Sequence, residues 1–230
     1  MPCSTVGHGQ AGPGCLLASG YGKRRPEAKA VLDEIGSGWV VFDILDDRHH
    51  LWFRIIDMTT LDDPALVNVE VFPAPPEQEP VLANLLQLYI HDFSELINVR
   101  LGPDGRYAYE NLPLYWREPT RHPFVITADG DLAGFALVQK GSQISGDPNV
   151  WDMAEFFVVR AYRRRGAGTK AANRLWQLHP GKWEVRVINL NEKAVEFWAH
   201  AIREFVGHPV VPTQFEAGGF DRHVFSFESQ

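Results

Sequence analysis

Between Arg160 and Arg174 the chain carries Arg160, Arg163, Arg164, Arg165, Lys170 and Arg174 and no acidic residue, although the whole protein has a formal charge of -7. Gly166 and Gly168 lie inside this basic run. Glycine lets a backbone turn sharply and approach a ligand with no Cβ in the way. If a helix starts there, its first N–H groups lack intrahelical acceptors and stand at the positive end of the helix dipole, which is a ready site for a phosphate. A glycine turn alone also fits an ordinary strand-to-helix loop with solvated arginines. Its coincidence with the charge run points to an anion site.

The flanking residues supply the elements that such a site needs. Met153, Phe156, Phe157, Val158 and Val159 crowd into seven positions with Glu155 as the one charged residue, the composition of a strand. Downstream, Ala171, Leu175 and Leu178 recur at i, i+4 and i+7, and Ala172 and Trp176 widen the stripe, the pattern of an amphipathic helix. Other phosphate loops do not match. A P-loop needs a lysine before its Ser or Thr, whereas Lys170 follows Thr169, and no GxGxxG fingerprint opens a βαβ unit.

Arg163-x-x-Gly166-x-Gly168 after a strand resembles the pyrophosphate-binding motif of the GNAT acyl-CoA N-acyltransferases. The segment Trp183 to Trp198, WEVRVINLNEKAVEFW, is similar to that family's next strand and helix, with Asn191-x-x-Ala194 and then an aromatic pair. The resemblance covers roughly residues 67–228. It implies an α/β (α+β) fold with a mixed, mostly antiparallel sheet flanked by helices, and acetyl-CoA or another acyl-CoA as co-substrate, with no metal. It places Arg163, Arg164, Arg165, Gly166, Ala167, Gly168 and Thr169 at the pyrophosphate, and the backbone of Phe157, Val158 and Val159 along the pantetheine arm. Asn191 and Trp198 of the second motif fall on the cofactor side. Glu155 matches the strand position where some members carry a catalytic carboxylate, so it is the candidate general base; a structural Glu155 would instead pair with Arg160 or Arg163. The first helix and the loop after it would form the acceptor pocket, with His91, Asp92, Tyr109 and Trp116 as candidates. At Trp198 the chain departs from the pattern. Many members have a tyrosine there as general acid, and an indole cannot donate a proton in that role near neutral pH. The acid would then be Tyr107, Tyr109, Tyr115 or water, or the thiolate leaves without one, and Trp198 would pack against the cofactor arm or the core.

A chain of 230 residues, 45% hydrophobic, can bury one sizeable core with a small appendage. Its acidic balance argues against a general nucleic-acid binder, which needs a basic face rather than one basic loop. Cys3 and Cys15 are the only cysteines, and no CxxC or HExxH spacing accompanies the nine histidines, so neither a disulfide framework nor a metal site is expected. No apolar run approaches the ~20 residues of a membrane span, and a cytoplasmic monomer or homodimer is the expectation.

Residues 1–24 are rich in Gly, Ser and Pro and read as a disordered lead-in. Trp39 to Phe42 and Leu51 to Ile56 fit either an added hairpin or, with Met58 as the true start, part of an over-extended gene; residues 1–57 form an N-terminal extension on both readings. The acyltransferase-like domain spans 67–230. It begins with the alternating strand Val67 to Phe72, followed by a helix with Leu82, Leu85, Leu86, Tyr89 and Phe93 on one face. A loop around a short helix fills 102–120, and Ala128-Asp129-Gly130-Asp131 marks a hairpin between Phe124 to Ile126 and Leu132 to Val138. A strand from Trp183 to Ile188 precedes a helix capped by Asn191, and a last strand from Phe220 to Phe227 pairs with part of 205–214. The function that follows is N-acetyl transfer to a primary amine of a small molecule or peptide, without nucleic acid or membrane as partner. Two other classes stay open: a GNAT-like module that binds acyl-CoA without turnover, and a nucleic-acid binder using the arginine run.

Overall fold

The computed structural model describes residues 67–230 throughout, and residues 39–45 and 51–57 as backbone strands. The expected lead-in over 1–24 and the start at Met58 lie outside the described residues. The chain divides into two units, Met1–Asp63 and Pro64–Gln230. In the first, β1 (Trp39–Leu45) and β2 (Leu51–Asp57) pair antiparallel, from Trp39 opposite Asp57 to Leu45 opposite Leu51.

The second unit is built on seven strands: β3 (Val69–Pro73), β4 (Arg121–Ala128), β5 (Asp131–Lys140), β6 (Trp151–Val158), β7 (Gly181–Ile188), β8 (Thr213–Ala217) and β9 (Phe220–Ser229). They lie side by side in the order β3-β4-β5-β6-β7-β9-β8, antiparallel except where β6 meets β7. The β4–β5 hairpin turns on Asp129 and Gly130, at φ 53° and 85°; two successive positive φ angles are what a tight hairpin demands and what Asp-Gly tolerates. The expected partner of β9 is met only by its last two residues, Thr213 opposite Val224 and Gln214 opposite His223. The helix before it runs on to Val206, so β8 starts only at Thr213 and turns back through Gly218 and Gly219, both at positive φ.

Helix α1 (Glu79–Phe93) covers one face of the sheet. It buries Leu82, Leu85 and Leu86 with Phe135, Leu137 and Phe157. Helices α2 (Ala167–Leu178) and α3 (Glu192–Val206) share the other face, where Ala171, Leu175, Trp176, Trp198 and Ile202 meet Ile126, Val138, Val185 and Phe225. Leu178, expected on the buried stripe of α2, stands 53% exposed because the helix ends with it. Trp176 and Trp183 are fully buried. Truncating such a side chain to Ala costs about 3–5 kcal/mol, so both are principal supports of this layer.

Candidate active site

Strands β6 and β7 pair only from Trp151 opposite Trp183 to Met153 opposite Val185. β6 continues to Val158 and β7 to Ile188 without further rungs between them. The two strands therefore part like a fork, and beyond Met153 the edge of β6 that faces β7 has no strand paired to it. On its other edge β6 stays paired with β5 as far as Gly134 opposite Val158. That contact is close: a Cβ on Gly134 would stand 2.0 Å from the carbonyl oxygen of Phe157.

The β5–β6 register also slips. Leu137 faces Glu155 while the next residue, Val138, faces Met153, so Ala154 is an extra residue in β6. Without it, strict alternation would send Glu155 to the same face as Trp151 and Met153, among the apolar side chains beneath α2 and α3. The bulge turns Glu155 to the α1 face instead. There the Tyr109 hydroxyl donates to Glu155 Oε1 at 3.1 Å, and the Tyr89 phenol of α1 also helps to stabilise the carboxylate. Burial raises the Glu155 pKa above the usual carboxylate range, and the two phenols and Arg186 pull it back only in part. Burial together with the Glu155 charge drives the Tyr109 and Tyr115 hydroxyls well above their ordinary range.

At the end of β6 the chain enters the glycine junction. Gly166 caps α2 in the left-handed region at φ 73°, and Arg164 is also at positive φ, 62°. The first N–H groups of α2 have no intrahelical acceptor; Lys170 is the first to find one, Gly166 O at 3.0 Å. Arg165 Nε is a buried donor without a partner. Those features suit an anionic ligand such as a pyrophosphate. The two glycines serve different ends, since a Cβ on Gly168 would come within 3.1 Å of the Phe197 ring. Gly166 makes the turn, and Gly168 lets α2 pack against α3.

The candidate residues from sequence do not all converge. Arg163 is a strut: its Nε donates to Val158 O at 2.7 Å, its guanidinium lies 5.3 Å from the Phe157 ring centre, and Nη2 pairs with Asp92 at 2.6 Å. Arg160 pairs with the other Asp92 oxygen at 2.6 Å. Desolvation pushes the Asp92 pKa up, but the two arginines outweigh it and hold the carboxyl below its usual value. So Asp92, expected in the acceptor pocket, braces the end of α1 against the end of β6, and the arginines expected as possible partners of Glu155 belong to Asp92. The backbone of Val159 is likewise engaged, donating to Ala133 O at 2.8 Å. His91 is exposed and lies 3.3 Å from the Tyr107 hydroxyl. Trp116 donates to Ala74 O at 2.8 Å and sits in the layer under α1. Asn191 caps α3, accepting from Ala194 N at 3.1 Å. Of the two placements open to Trp198, the structure takes the core: it is 6% exposed, with Phe156, Phe197 and Trp176 rings around it.

Sequence reading missed four members of the neighbourhood: Tyr89, Gln139, Asp152 and Arg186. Asp152 is fully buried and accepts from Gln139 at 2.7 Å and from Arg186 Nη2 and Nε at 2.6 and 3.1 Å. The available signal was a charged side chain between apolar neighbours on a strand, at Asp152 and at Arg186, which burial tolerates only when it is paired; Gln139, followed by Lys140, and Tyr89, on a helix, carried no such signal.

Residues 82–201 match the sequence model of the Acetyltransferase (GNAT) family. The chain belongs to the GNAT acetyltransferase family. No curated protein is similar enough to match it. Among solved structures, an acetyltransferase from Thermus thermophilus superposes with a TM-score of 0.53 at 16% identity, covering 70% of this chain and 97% of that one. The yncA protein of Salmonella typhimurium, solved with its cofactor acetyl-CoA, gives a TM-score of 0.49 at 15% identity over 71% of this chain and 95% of its own. A spermidine N-acetyltransferase chimera from Vibrio cholerae gives 0.45 at 15% identity over 70% and 96%. The first of these likenesses shows the shared fold. As a GNAT protein the chain transfers acyl groups from acetyl-CoA. Among the described residues no cluster of His, Cys, Asp and Glu could hold a metal, and no helix is long and apolar enough to cross a membrane.

Proposed function

We propose that this GNAT protein is an N-acetyltransferase that moves the acetyl group of acetyl-CoA to a primary amine, with Glu155 as general base. The observation that carries this reading is the Glu155 carboxyl itself, turned by the Ala154 bulge away from the apolar side chains beneath α2 and α3 and held by Tyr109 beside the fork between β6 and β7. The donor's pyrophosphate would rest on the junction from Arg164 to Thr169, and its pantetheine arm along the free edge of β6. Glu155, directly or through one water, takes a proton from the acceptor's ammonium. The neutral nitrogen attacks the thioester carbonyl and the C–N bond forms; as the C–S bond breaks, the nitrogen's second proton passes through water to the departing sulfur, coenzyme A leaves as the thiol, and Glu155 returns its proton to solvent. Trp198 is not the donor of that proton. Tyr109 and Tyr115 are poorly matched to it, because a phenol made less acidic by burial holds its proton more tightly. Water is the donor this reading favours, helped by the thiolate's tolerance as a leaving group.

Free-thiol release from acetyl-CoA across a panel of small primary amines, amino acids, polyamines and peptide N-termini tests the reading. An amine that raises thiol release at least tenfold over buffer, with one acetyl group gained by mass spectrometry, supports it. Tight coenzyme A binding with no turnover on any amine would favour the non-catalytic binding module.

A further inference from the structure

Gln139, Asp152, Glu155, Glu184 and Arg186 occupy one face of the sheet. In β7, Trp183, Val185 and Val187 belong to the core under α2 and α3, so Glu184 and Arg186 alternate to the α1 face. In β6, Asp152 lies opposite Met153 in the same way, and the Ala154 bulge adds Glu155 to this set. Arg186 is the first residue of β7 beyond the last rung to β6. From there it reaches back across the fork to Asp152 through two nitrogens and donates with its third to Gln143 at 2.8 Å. Its side chain is 18% exposed and that of Asp152 is fully buried. Such a pair is weak evidence for stability, since hydrophobic replacements of buried ion pairs are often neutral. Its position at the point where the strands part therefore needs another reason.

We infer that Arg186, anchored by Asp152, is a positioning residue for Glu155: it fixes where β6 and β7 separate and holds a permanent positive charge on the face to which the bulge turns the carboxylate. The inference rests on the reading of Glu155 as the base. The bidentate pairing ties β7 to β6 at the apex of the fork, on the strand that carries Glu155 three residues further on. The guanidinium lies on the same sheet face as the carboxyl, where its charge favours the ionised form and that of Asp152 opposes it. Tyr89 of α1, Tyr109 of the loop before the turn at 112–116 and Tyr115 of that turn also act on Glu155, and Glu184 of β7 shares its face. Of the two nearby charges Arg186 has the larger influence. A buried base without that cation would stay protonated further into the neutral range, and fewer molecules would be ready to accept the ammonium proton.

The test uses the full chain with carboxyl-labelled glutamate, identifying the Glu155 signal by its loss in Glu155→Gln, and follows its titration by NMR beside the pH profile of kcat/KM. Arg186→Gln removes the charge, and the Glu155 titration is expected to move up by about one pH unit. Arg186→Lys keeps the charge and loses the bidentate grip, so the titration should stay within a few tenths while KM for acetyl-CoA rises several-fold. Should Arg186→Gln leave Asp152 unpaired and fail to fold, the double variant Asp152→Asn with Arg186→Gln keeps the polar contacts, and a smaller upward move is expected. A Glu155 titration unmoved in Arg186→Gln, or in the double variant where only that one folds, overturns the inference, as does Arg186→Lys shifting it as far as Arg186→Gln. If the carboxyl titration moves while the acidic limb of activity does not follow, the inference stands and the assignment of Glu155 as base falls.

Discussion

Gly134 of β5 lies so close to Phe157 of β6 that no other residue fits: the missing Cβ would stand 2.0 Å from the Phe157 carbonyl oxygen, a backbone atom that no side-chain rotation can move away. The contact holds β5 against β6 on the edge away from the fork. It thereby sets the course of the one strand that carries both Glu155 and the free edge offered to the donor.

Gly134→Ala is accordingly expected to act on both stability and binding. Overpacking of a filled interior typically costs about 1–3 kcal/mol, which for a domain of this size lowers the Tm by roughly 2–4 °C per kcal/mol. Coenzyme A affinity should fall too, because β6 must shift to relieve the clash. Thermal unfolding and calorimetry on the same sample check it; an unchanged Tm would mean that the two strands separate at no cost.

Gly166 makes a second backbone demand, at φ 73° where α2 begins. Gly166→Asn should fold with little loss, since Asn visits the left-handed region more readily than other residues. Gly166→Asp has the same shape and adds a negative charge at the helix N-terminus, so it should bind coenzyme A at least tenfold more weakly than Gly166→Asn. Equal affinities for the two variants would place the pyrophosphate elsewhere.

The second unit, 64–230, contains every residue assigned to the donor and to Glu155. Expressed without residues 1–63, it should remain folded and bind coenzyme A within about threefold of the full chain. A loss of several kcal/mol of stability would show that the first unit supports the second, a large share of the 5–15 kcal/mol typical of a domain.

The strands, the three helices and the glycine turn before α2 were legible because each follows from local pattern: alternation, a 3.6-residue stripe, and glycine before a helix. What escaped depends on register. Nothing local to Met153-Ala154-Glu155 distinguishes a regular strand from one with Ala154 bulged, because the bulge exists only in the pairing with β5, yet that one-residue slip decides which face Glu155 occupies. For the same reason Tyr89 read as one more apolar position of α1, and its approach to Glu155 across 66 residues of sequence had no local signature. Asp92 was legible as a polar group at the end of α1. That it would meet Arg160 and Arg163 required knowing that α1 ends beside the end of β6.

A second cluster, away from Glu155, predicts an acid sensitivity. His179 packs on Trp151 with ring centres 4.3 Å apart and lies 5.5 Å from His122; its Nε2 is buried without a partner. Burial, reinforced by His122 and Lys140, depresses its pKa to about 4. A histidine whose folded value lies below its unfolded ~6.5 takes up its proton more readily when unfolded, so stability should fall as pH drops from about 6.5 toward 4. The ring is only half-buried, and solvent screening limits the loss to about 1 kcal/mol. His179→Phe keeps the stacked ring and removes the titration, so its Tm should exceed that of the parent at pH 5 by more than at pH 7.5. An equal difference at both values would assign the acid sensitivity to other groups.

Glu155→Gln joins function and stability with opposite signs. The amide keeps an oxygen that can accept from Tyr109 and Tyr89, so shape and hydrogen bonding survive while the base is lost. Turnover should fall by about 10²- to 10⁴-fold with donor affinity nearly unchanged, and the acidic limb of the pH profile should vanish. Stability should move the other way. Burial raises the folded pKa of Glu155 above its unfolded value, so the native state holds the proton longer, and the cost of ionising the buried carboxyl grows as pH rises through the raised value. Above that window the parent bears the full penalty and Glu155→Gln bears none, so the variant should melt higher at pH 7.5, with the advantage shrinking toward pH 4. A variant both slower and less stable at pH 7.5 would mean that the carboxylate serves the fold through its ion interactions, and the base would have to be sought at His91, Asp92, Glu95 or a water chain. Turnover reduced less than tenfold would remove Glu155 from the chemistry whatever the Tm.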